Sequence, residues 1–483
     1  MTRWAGRQAR RLALLVIGAL IAFLGLRIYN AERGPDLELW HTYAPSEPDA
    51  VAIDGMDWRG WMAAEDHIFA SVRAEVTDRL EPKDRVPVNR YFPGSAIYPP
   101  HFAQDWNRSY TLLPEGRPRG AVVLLHGLTD SPYSLRHVGL RYRQAGFAVV
   151  AIRLPAHGTV PAALAAADRD DWYAATRLAV REAARLADGT DNLHIVGFSN
   201  GGSLALMYAL EALERADLAR PTRLVLISPM IGITAFARFA GLAGLPALLP
   251  RFAAAAWLGI VPEFNPFKYN SFPVNGARQS WRVTQELQAR IRDAANAGRL
   301  ARLAPTLTFH SVLDFTVSTR AVVQALYAVL PAGGHELVLF DINRHAKLGP
   351  LLSSAAETAL DRLLPPAPRR FRTVVIGNEA GSADVSARVV EAGTTEETVI
   401  PLGIPYPADT FSLSHVALPF PPTDGLYGSD PDPADDFGIR LGAVAPRGER
   451  GALIVGLDTL LRRSSNPFFP YLIDRIGEGA EAR

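Results

Sequence analysis

None of the 483 residues is a cysteine. This removes disulfides, thiolate nucleophiles and cysteine metal sites from consideration, but it does not choose between an oxidising and a reducing compartment. Charge of one sign is also missing: 50 Lys and Arg stand against 49 Asp and Glu, a formal net charge of +1. With no basic patch interleaved with aromatics either, the chain has no electrostatic footprint for nucleic acid. Walker loops, dinucleotide fingerprints and zinc-protease motifs are absent, as are internal repeats and low-complexity tracts. No metal and no cofactor is therefore expected. What is present is ample apolar material, 48% of residues, enough for one large α/β core with additions.

Acidic residues are lacking before Glu32, while Arg3, Arg7, Arg10 and Arg11 precede an apolar run over 12–26. If Arg27 snorkels and the helix continues to Tyr29, it rises about 27 Å, close to a hydrocarbon core of about 30 Å. The rival is a cleaved signal peptide, but residues 27–31 carry no small-x-small cleavage pattern. The expectation is a signal anchor over 1–29, its arginines cytoplasmic. Everything after about residue 30 then lies outside the cytoplasm, on the periplasmic side of a bacterial inner membrane.

Residues 30–117 form an extension rich in tryptophan and proline, with a helix expected over 61–79 and no chemistry assigned. From residue 120, short apolar strands alternate with helices: strands over 121–125, 147–152, 193–198 and 223–228, helices over 134–144 and 172–186. That alternation implies a mostly parallel sheet with right-handed crossovers and helices on both faces. It stops at Pro229. Residues 231–303, rich in Ala, Leu, Phe and Pro, read as a helical cap insertion over a pocket, or as extra core. The core, 118–230, resumes over 304–483: strands at 306–311 and 336–340, a helix at 319–330, and a C-terminal extension from about 365. In that extension two strands are expected at 371–376 and 386–391, then a Pro-rich segment over 401–433, then a helix near 470–476.

The most informative stretch is Gly197-Phe198-Ser199-Asn200-Gly201. An apolar strand precedes it and a helix, expected over 203–214, follows it. That context makes a Gly-x-Ser-x-Gly turn a nucleophile elbow, in which a strained serine stands clear of the sheet beside a helix N-terminus.

Three further segments carry a resemblance. Val123-Leu124-Leu125-His126-Gly127-Leu128-Thr129-Asp130-Ser131-Pro132 is similar to an oxyanion strand and loop. Arg153-Leu154-Pro155-Ala156-His157-Gly158-Thr159 and Asp171-Trp172 fit the same pattern. Together with the elbow they resemble bacterial carboxylesterases and monoacylglycerol lipases of the α/β-hydrolase superfamily, of the serine aminopeptidase S33 type. The resemblance covers about 120–230 well and 304–345 moderately. Two departures stand out: Ala156 where glycine is usual, and Asn200 where methionine is frequent. The resemblance implies an oxyanion hole from the backbone N–H groups of Leu128 and Asn200, with His126 bracing that loop.

A serine nucleophile also needs a base and a group to orient it, here in the chain order Ser, Asp/Glu, His. Asp314 follows the strand at 306–311, whereas the end of the neighbouring strand, Ser228-Pro229-Met230, carries no acid. His335, His345 and His415 follow the acid; His335 opens a strand at the wrong end. His345 lies five residues past the strand at 336–340, where the simplest fold expects its base. His415, in Ser414-His415-Val416, better resembles the esterase pattern but requires 371–391 to be an insertion. His415 is the expected base and His345 the alternative.

These readings converge on a serine hydrolase cleaving carboxylic esters, with a small-molecule acyl ester or lipid-like substrate and a membrane tether. Peptidases and thioesterases share the fold, and a non-catalytic lipid- or envelope-binding protein is the rival from another class. Acyl length, head group and oligomeric state leave no signal in the sequence.

Overall fold

The computed structural model describes every residue except 1, 234–239, 348–350, 355–357, 380, 444–463 and 482–483. In chain order its strands are β1 (Tyr110–Leu112), β2 (Gly120–Leu125), β3 (Phe147–Ile152), β4 (Leu193–Phe198) and β5 (Arg223–Ile227). Then come β6 (Trp257–Gly259), β7 (Phe272–Pro273), β8 (Thr306–Ser311), β9 (Glu336–Phe340), β10 (Arg372–Asn378), β11 (Asp384–Val390) and β12 (Glu397–Pro405). Ten of them form one sheet, ordered β1-β3-β2-β4-β5-β8-β9-β10-β11-β12; β6 and β7 pair separately. From β3 to β10 the pairings are parallel, and β1, β11 and β12 are antiparallel additions.

The sequence pattern explains which strands sit centrally. β2, β3, β4 and β8 are buried at every position; β2 and β3 are the continuous apolar runs expected when helices cover both faces. On one face, Val123 and Ile195 pack against helices Arg169–Leu186, Asn200–Ala212 and Val274–Asn296. On the other, Val122, Leu124 and Val196 pack against helix Arg136–Gln144 and the C-terminal helix Phe469–Glu481. After β3 the chain returns past β2 to lay down β4 on its other side. The carboxyl ends of β2 and β4 therefore flank a topological switch point, where a parallel sheet opens a crevice.

Several boundaries differ from the sequence expectation, each for a visible reason. The helix expected over 61–79 begins at Trp58, because Asp57 caps it by accepting from the Gly60 amide at 2.7 Å. The stretch 371–391 is not wholly an insertion. β10 pairs in parallel with β9 and continues the sheet, so only the β11–β12 hairpin is extra. The helix expected over 319–330 is a short α-turn, Thr319–Ala321, running into a π-helical stretch, Val322–Tyr327. The insertion is divided. Its long helix Val274–Asn296 buries Val283, Leu287 and Ile291 in the main core, while 240–259 lies outside it.

The Trp-rich extension is packed structure. Arg153, fully buried at the end of β3, donates from Nε to Glu65 at 2.8 Å and from Nη1 to Glu47 at 3.0 Å. Ser109 accepts from Trp61 Nε1 and donates to Glu65, completing the join. At the N-terminus, helix Thr2–Arg33 contains the single helix among the described residues long and apolar enough to cross a membrane. Within Arg10–Arg33 an 18-residue window reaches a mean hydropathy of 2.3.

At several buried histidines the loss of water outweighs every neighbouring charge, including that of Asp314, 3.9 Å from His310. Burial pushes His41, His157 and His310 down to about 4 and His194 to about 3. In the unfolded chain each titrates near 6.5, so below that pH the unfolded state binds protons that the folded state refuses. Stability therefore rises with pH through this window and is lost as pH falls from about 6.5 toward 4, each histidine adding up to about 1.4 kcal/mol per pH unit. The melting temperature in detergent is expected to fall steadily between pH 7 and pH 5; a flat profile would contradict these burials.

Candidate active site

Ser199 sits between β4 and the helix Asn200–Ala212 with φ 53° and ψ −115°, a backbone conformation costly for any residue with a Cβ. Three hydrogen bonds hold it there: its amide donates to Ile227 O, and its carbonyl accepts from Gly202 and Met230, all at 3.0 Å. The turn closes only because its neighbours lack side chains. A Cβ on Gly201 would fall on the Leu125 carbonyl, and one on Gly197 would strike the Gly201 carbonyl. The helix consequently starts at Asn200, three residues before the sequence pattern suggests.

Across the crevice, β2 runs into His126-Gly127-Leu128-Thr129. His126 is buried and accepts from the Leu154 amide at 3.0 Å through Nε2, so it ties this loop to the end of β3. Thr129 adopts φ 64°, and its carbonyl accepts from the Tyr269 amide at 2.9 Å. The departure at Ala156 also has a conformational meaning. Its φ is 68°, a left-handed conformation that glycine adopts without strain.

Asp314 follows β8, its carboxylate fully buried. Oδ1 accepts from the amides of Thr316 and Val317 at 2.8 and 2.9 Å, and Oδ2 accepts from His415 Nδ1 at 2.8 Å. Burial raises its pKa, but the His415 ring, the nearby His310 ring and the Val317 amide outweigh it, so the carboxyl is held below its usual range. An ionised Asp314 makes Nδ1 of His415 the protonated nitrogen and leaves Nε2 as the acceptor. The His415 ring stacks on Phe198, with centroids 5.2 Å apart and planes at 29°.

Ser199, His415 and Leu128 line one cavity of about 430 Å³. Met230, Ile233 and Phe272 give it an apolar wall, and Lys268, paired with Asp130 at 3.1 Å, closes one side. Ser199 itself is 8% exposed. His345 is not brought to this cavity: it is exposed, and its amide donates to Asn343 Oδ1 at 3.0 Å. Among the described residues no cluster of His, Asp and Glu could hold a metal ion.

Sequence reasoning missed the groups that hold the His415 loop. Asp424, fully buried, accepts from Tyr133 Oη at 2.8 Å and from Arg136 Nη2 and His137 Nε2, both at 2.9 Å. The amides of Leu426 and Tyr427 donate to it as well. Burial raises its pKa, yet His137, Arg136 and these bonds hold it well below the carboxylate range. His310, 3.9 Å from Asp314 Oδ2, was missed too. A histidine inside an apolar strand gives no sign of which loop it will meet.

Residues 116–349 match the model of the serine aminopeptidase S33 family. Over those residues, just under half of the chain, it has the α/β-hydrolase fold. It is 28% identical over 178 residues to a thermostable monoacylglycerol lipase of Bacillus sp. (strain H-257), covering 37% of this chain and 66% of that relative, just under two thirds of its length. Among solved structures it is similar to a metagenome-derived lipolytic enzyme, at 23% identity and TM-score 0.38, covering 49% of this chain and 88% of that one. A monoglyceride lipase of Saccharomyces cerevisiae aligns at 17% identity and TM-score 0.36, over 48% of this chain and 80% of that one. The matched region is flanked by additions at both ends.

The Asp424 network generates a test. Removing one member of a buried ion pair strands the other charge and typically costs about 3 kcal/mol or more. Asp424→Ala should therefore lower the urea midpoint markedly, whereas Asp430→Ala, at an exposed position of the same segment, should leave it within about 0.5 kcal/mol of the wild type. Equal effects would show that the buried network does not hold the loop.

Proposed function

We propose that this α/β-hydrolase cleaves carboxylic esters through an acyl-enzyme, with Ser199 as nucleophile, His415 as base and Asp314 as its orienting carboxylate. The observation that carries the reading is the 2.8 Å Asp314–His415 bond in a loop that shares the Ser199 cavity. His415 Nε2 takes the hydroxyl proton as Ser199 Oγ forms a bond to the ester carbonyl carbon. The carbonyl oxygen becomes an anion, facing the amides of Leu128 and Asn200, where one donor is worth about 3 kcal/mol in the transition state. Collapse breaks the bond to the alcohol oxygen, which leaves with the proton from His415. Water then repeats the sequence on the acyl-enzyme, and the carboxylic acid departs. Asp314 stays ionised throughout and stabilises the imidazolium.

The apolar cavity wall and the relative named a monoacylglycerol lipase support a lipid-like acyl ester, of the monoacylglycerol or lysolipid class. A peptide's terminal ammonium finds less support. Among the described residues lining the cavity Asp130 is the one acid, and Lys268 already pairs with it. The N-terminal helix is proposed as a membrane anchor. Its four leading arginines keep the N-terminus cytoplasmic and the catalytic domain on the periplasmic side.

Full-length protein in detergent should hydrolyse a medium-chain aryl ester and label with a fluorophosphonate. Ser199→Ala should abolish both while circular dichroism is unchanged. His415→Ala should lower turnover by about a thousandfold or more, and His345→Ala by less than about tenfold. Retained labelling in Ser199→Ala would sink the nucleophile; an inactive His345→Ala beside an active His415→Ala would reassign the base.

A further inference from the structure

The N-terminal helix does not leave the domain as a free tether. Arg27 points into the insertion, where Nε donates to Ala243 O at 3.2 Å and Nη2 donates to Ala255 O at 2.8 Å and Trp257 O at 2.7 Å. One turn earlier, Phe23 packs against Ala243 and Val274, and Ala277 joins the same cluster. Ala277 also lines the Ser199 cavity. The last turns of the helix are thus fastened to the insertion within one side chain of the cavity. Around that junction, segments 240–243, 245–248 and 250–256 pack against the helix. They also turn leucines outward: Leu248 is 79% exposed and Leu249 60%, with Leu242 and Leu245 exposed beside them. Exposed apolar clusters of this kind mark a surface that water does not cover in use.

We propose that this leucine rim of the insertion is seated in the outer interface of the bilayer that the N-terminal helix crosses, held at that depth by Arg27. The occupant follows from continuity. The rim adjoins the end of an apolar helix whose Leu12, Leu15 and Ile21 are themselves exposed, and an exposed ion pair, Arg251 with Glu32 at 3.0 Å, ties the two at headgroup level beside the Arg27 contact. An amphipathic surface lying in the interface buries its apolar side about 5–10 Å deep, which matches leucines carried on short turns rather than on a second spanning helix. The consequence is that the cavity wall at Ala277 borders lipid, so an acyl ester can pass from the bilayer toward Ser199 without crossing water. This rests on the anchor reading above, and the test separates the two.

Because the chain has no cysteine, single cysteines can each carry one environment-sensitive fluorophore. Full-length Leu248→Cys, Leu249→Cys, Leu15→Cys and Val399→Cys proteins would be labelled and reconstituted in phosphatidylcholine vesicles containing doxyl-labelled lipid. Leu15 lies within the apolar helix, and Val399, 56% exposed, sits on edge strand β12. Labels at Leu248→Cys and Leu249→Cys should be quenched at least about threefold more than at Val399→Cys, as for interfacial positions. Adding Arg27→Ala should cut that quenching by about half or more while leaving Leu15→Cys unchanged. Strong quenching at Leu15→Cys with Leu248→Cys no different from Val399→Cys would overturn the insertion of the rim and leave the anchor standing. Absence of quenching at Leu15→Cys would overturn the anchor and the rim together. Unchanged quenching in Arg27→Ala would overturn its role in setting the depth.

Discussion

The carboxylate of Asp424 is the constraint on which the site's geometry depends. It lies 110 residues beyond Asp314 and nine beyond His415 in the chain, yet it binds Tyr133, Arg136 and His137 just after the loop that follows β2. One buried group therefore fixes two loops against each other, one carrying the imidazole and the other the amide of Leu128. A loop that has travelled through the β11–β12 hairpin pays a large ordering entropy before His415 reaches Asp314. A solvent-exposed ion pair, typically worth under about 1 kcal/mol, would not offset that. Burial changes the balance: removing Asp424 would strand the Arg136 charge, which Asp435 alone would then face.

The elbow shows the same logic in backbone terms. The strain at Ser199 persists because three backbone hydrogen bonds and two side-chain-free neighbours leave it no alternative. Thr129, Ala156 and Ser228 share positive φ with Ser199, so a non-glycine residue in that conformation lies just beyond the carboxyl end of each of β2, β3, β4 and β5. Such a site is costly to build, and the expense is borne by the fully buried strands beneath it. That arrangement sets Ser199 and the loop after β2 on the sheet itself, with the His415 ring supplied from outside it.

How much of this could be read from the residues depended on whether the signal was local. β3 and β9 coincide with their expected limits, because each is an apolar run bounded by glycine or polar residues, and β8 does so as an alternation of Leu307 and Phe309 with Thr306, Thr308 and His310. β12 went unread: its residues are mostly exposed, it contains Pro401 and Pro405, and nothing in Glu397–Pro405 alternates cleanly. The elbow was legible because its glycines encode a close approach of backbones. Asp314 and His415 meet in the structure, but the path between them was misread, since β10 continues the sheet rather than forming part of an insertion. Arg153 with Glu65, and Arg136 with Asp424, left no trace. Charged residues far apart in sequence look like ordinary surface until the fold buries them.

Those buried charges share a pattern that connects to the absence of cysteine. Arg153 joins the N-terminal extension to β3 through Glu47 and Glu65. Arg136 joins the His415 segment to the helix after β2 through Asp424 and Asp435. Glu336 joins the C-terminal helix to β9 and β10 through Arg475 and Arg372. Each addition to the sheet is fastened by one charged group gripping two of opposite sign. Such joints are not strong in the net, because dehydrating the charges consumes most of the attraction. Their effect is selective: a misplaced segment would bury a charge alone, at a cost of several kcal/mol, so each addition has one docking that the core tolerates. In a chain without disulfides, that penalty for every other arrangement is what holds the His415 loop to a single position at the Ser199 cavity.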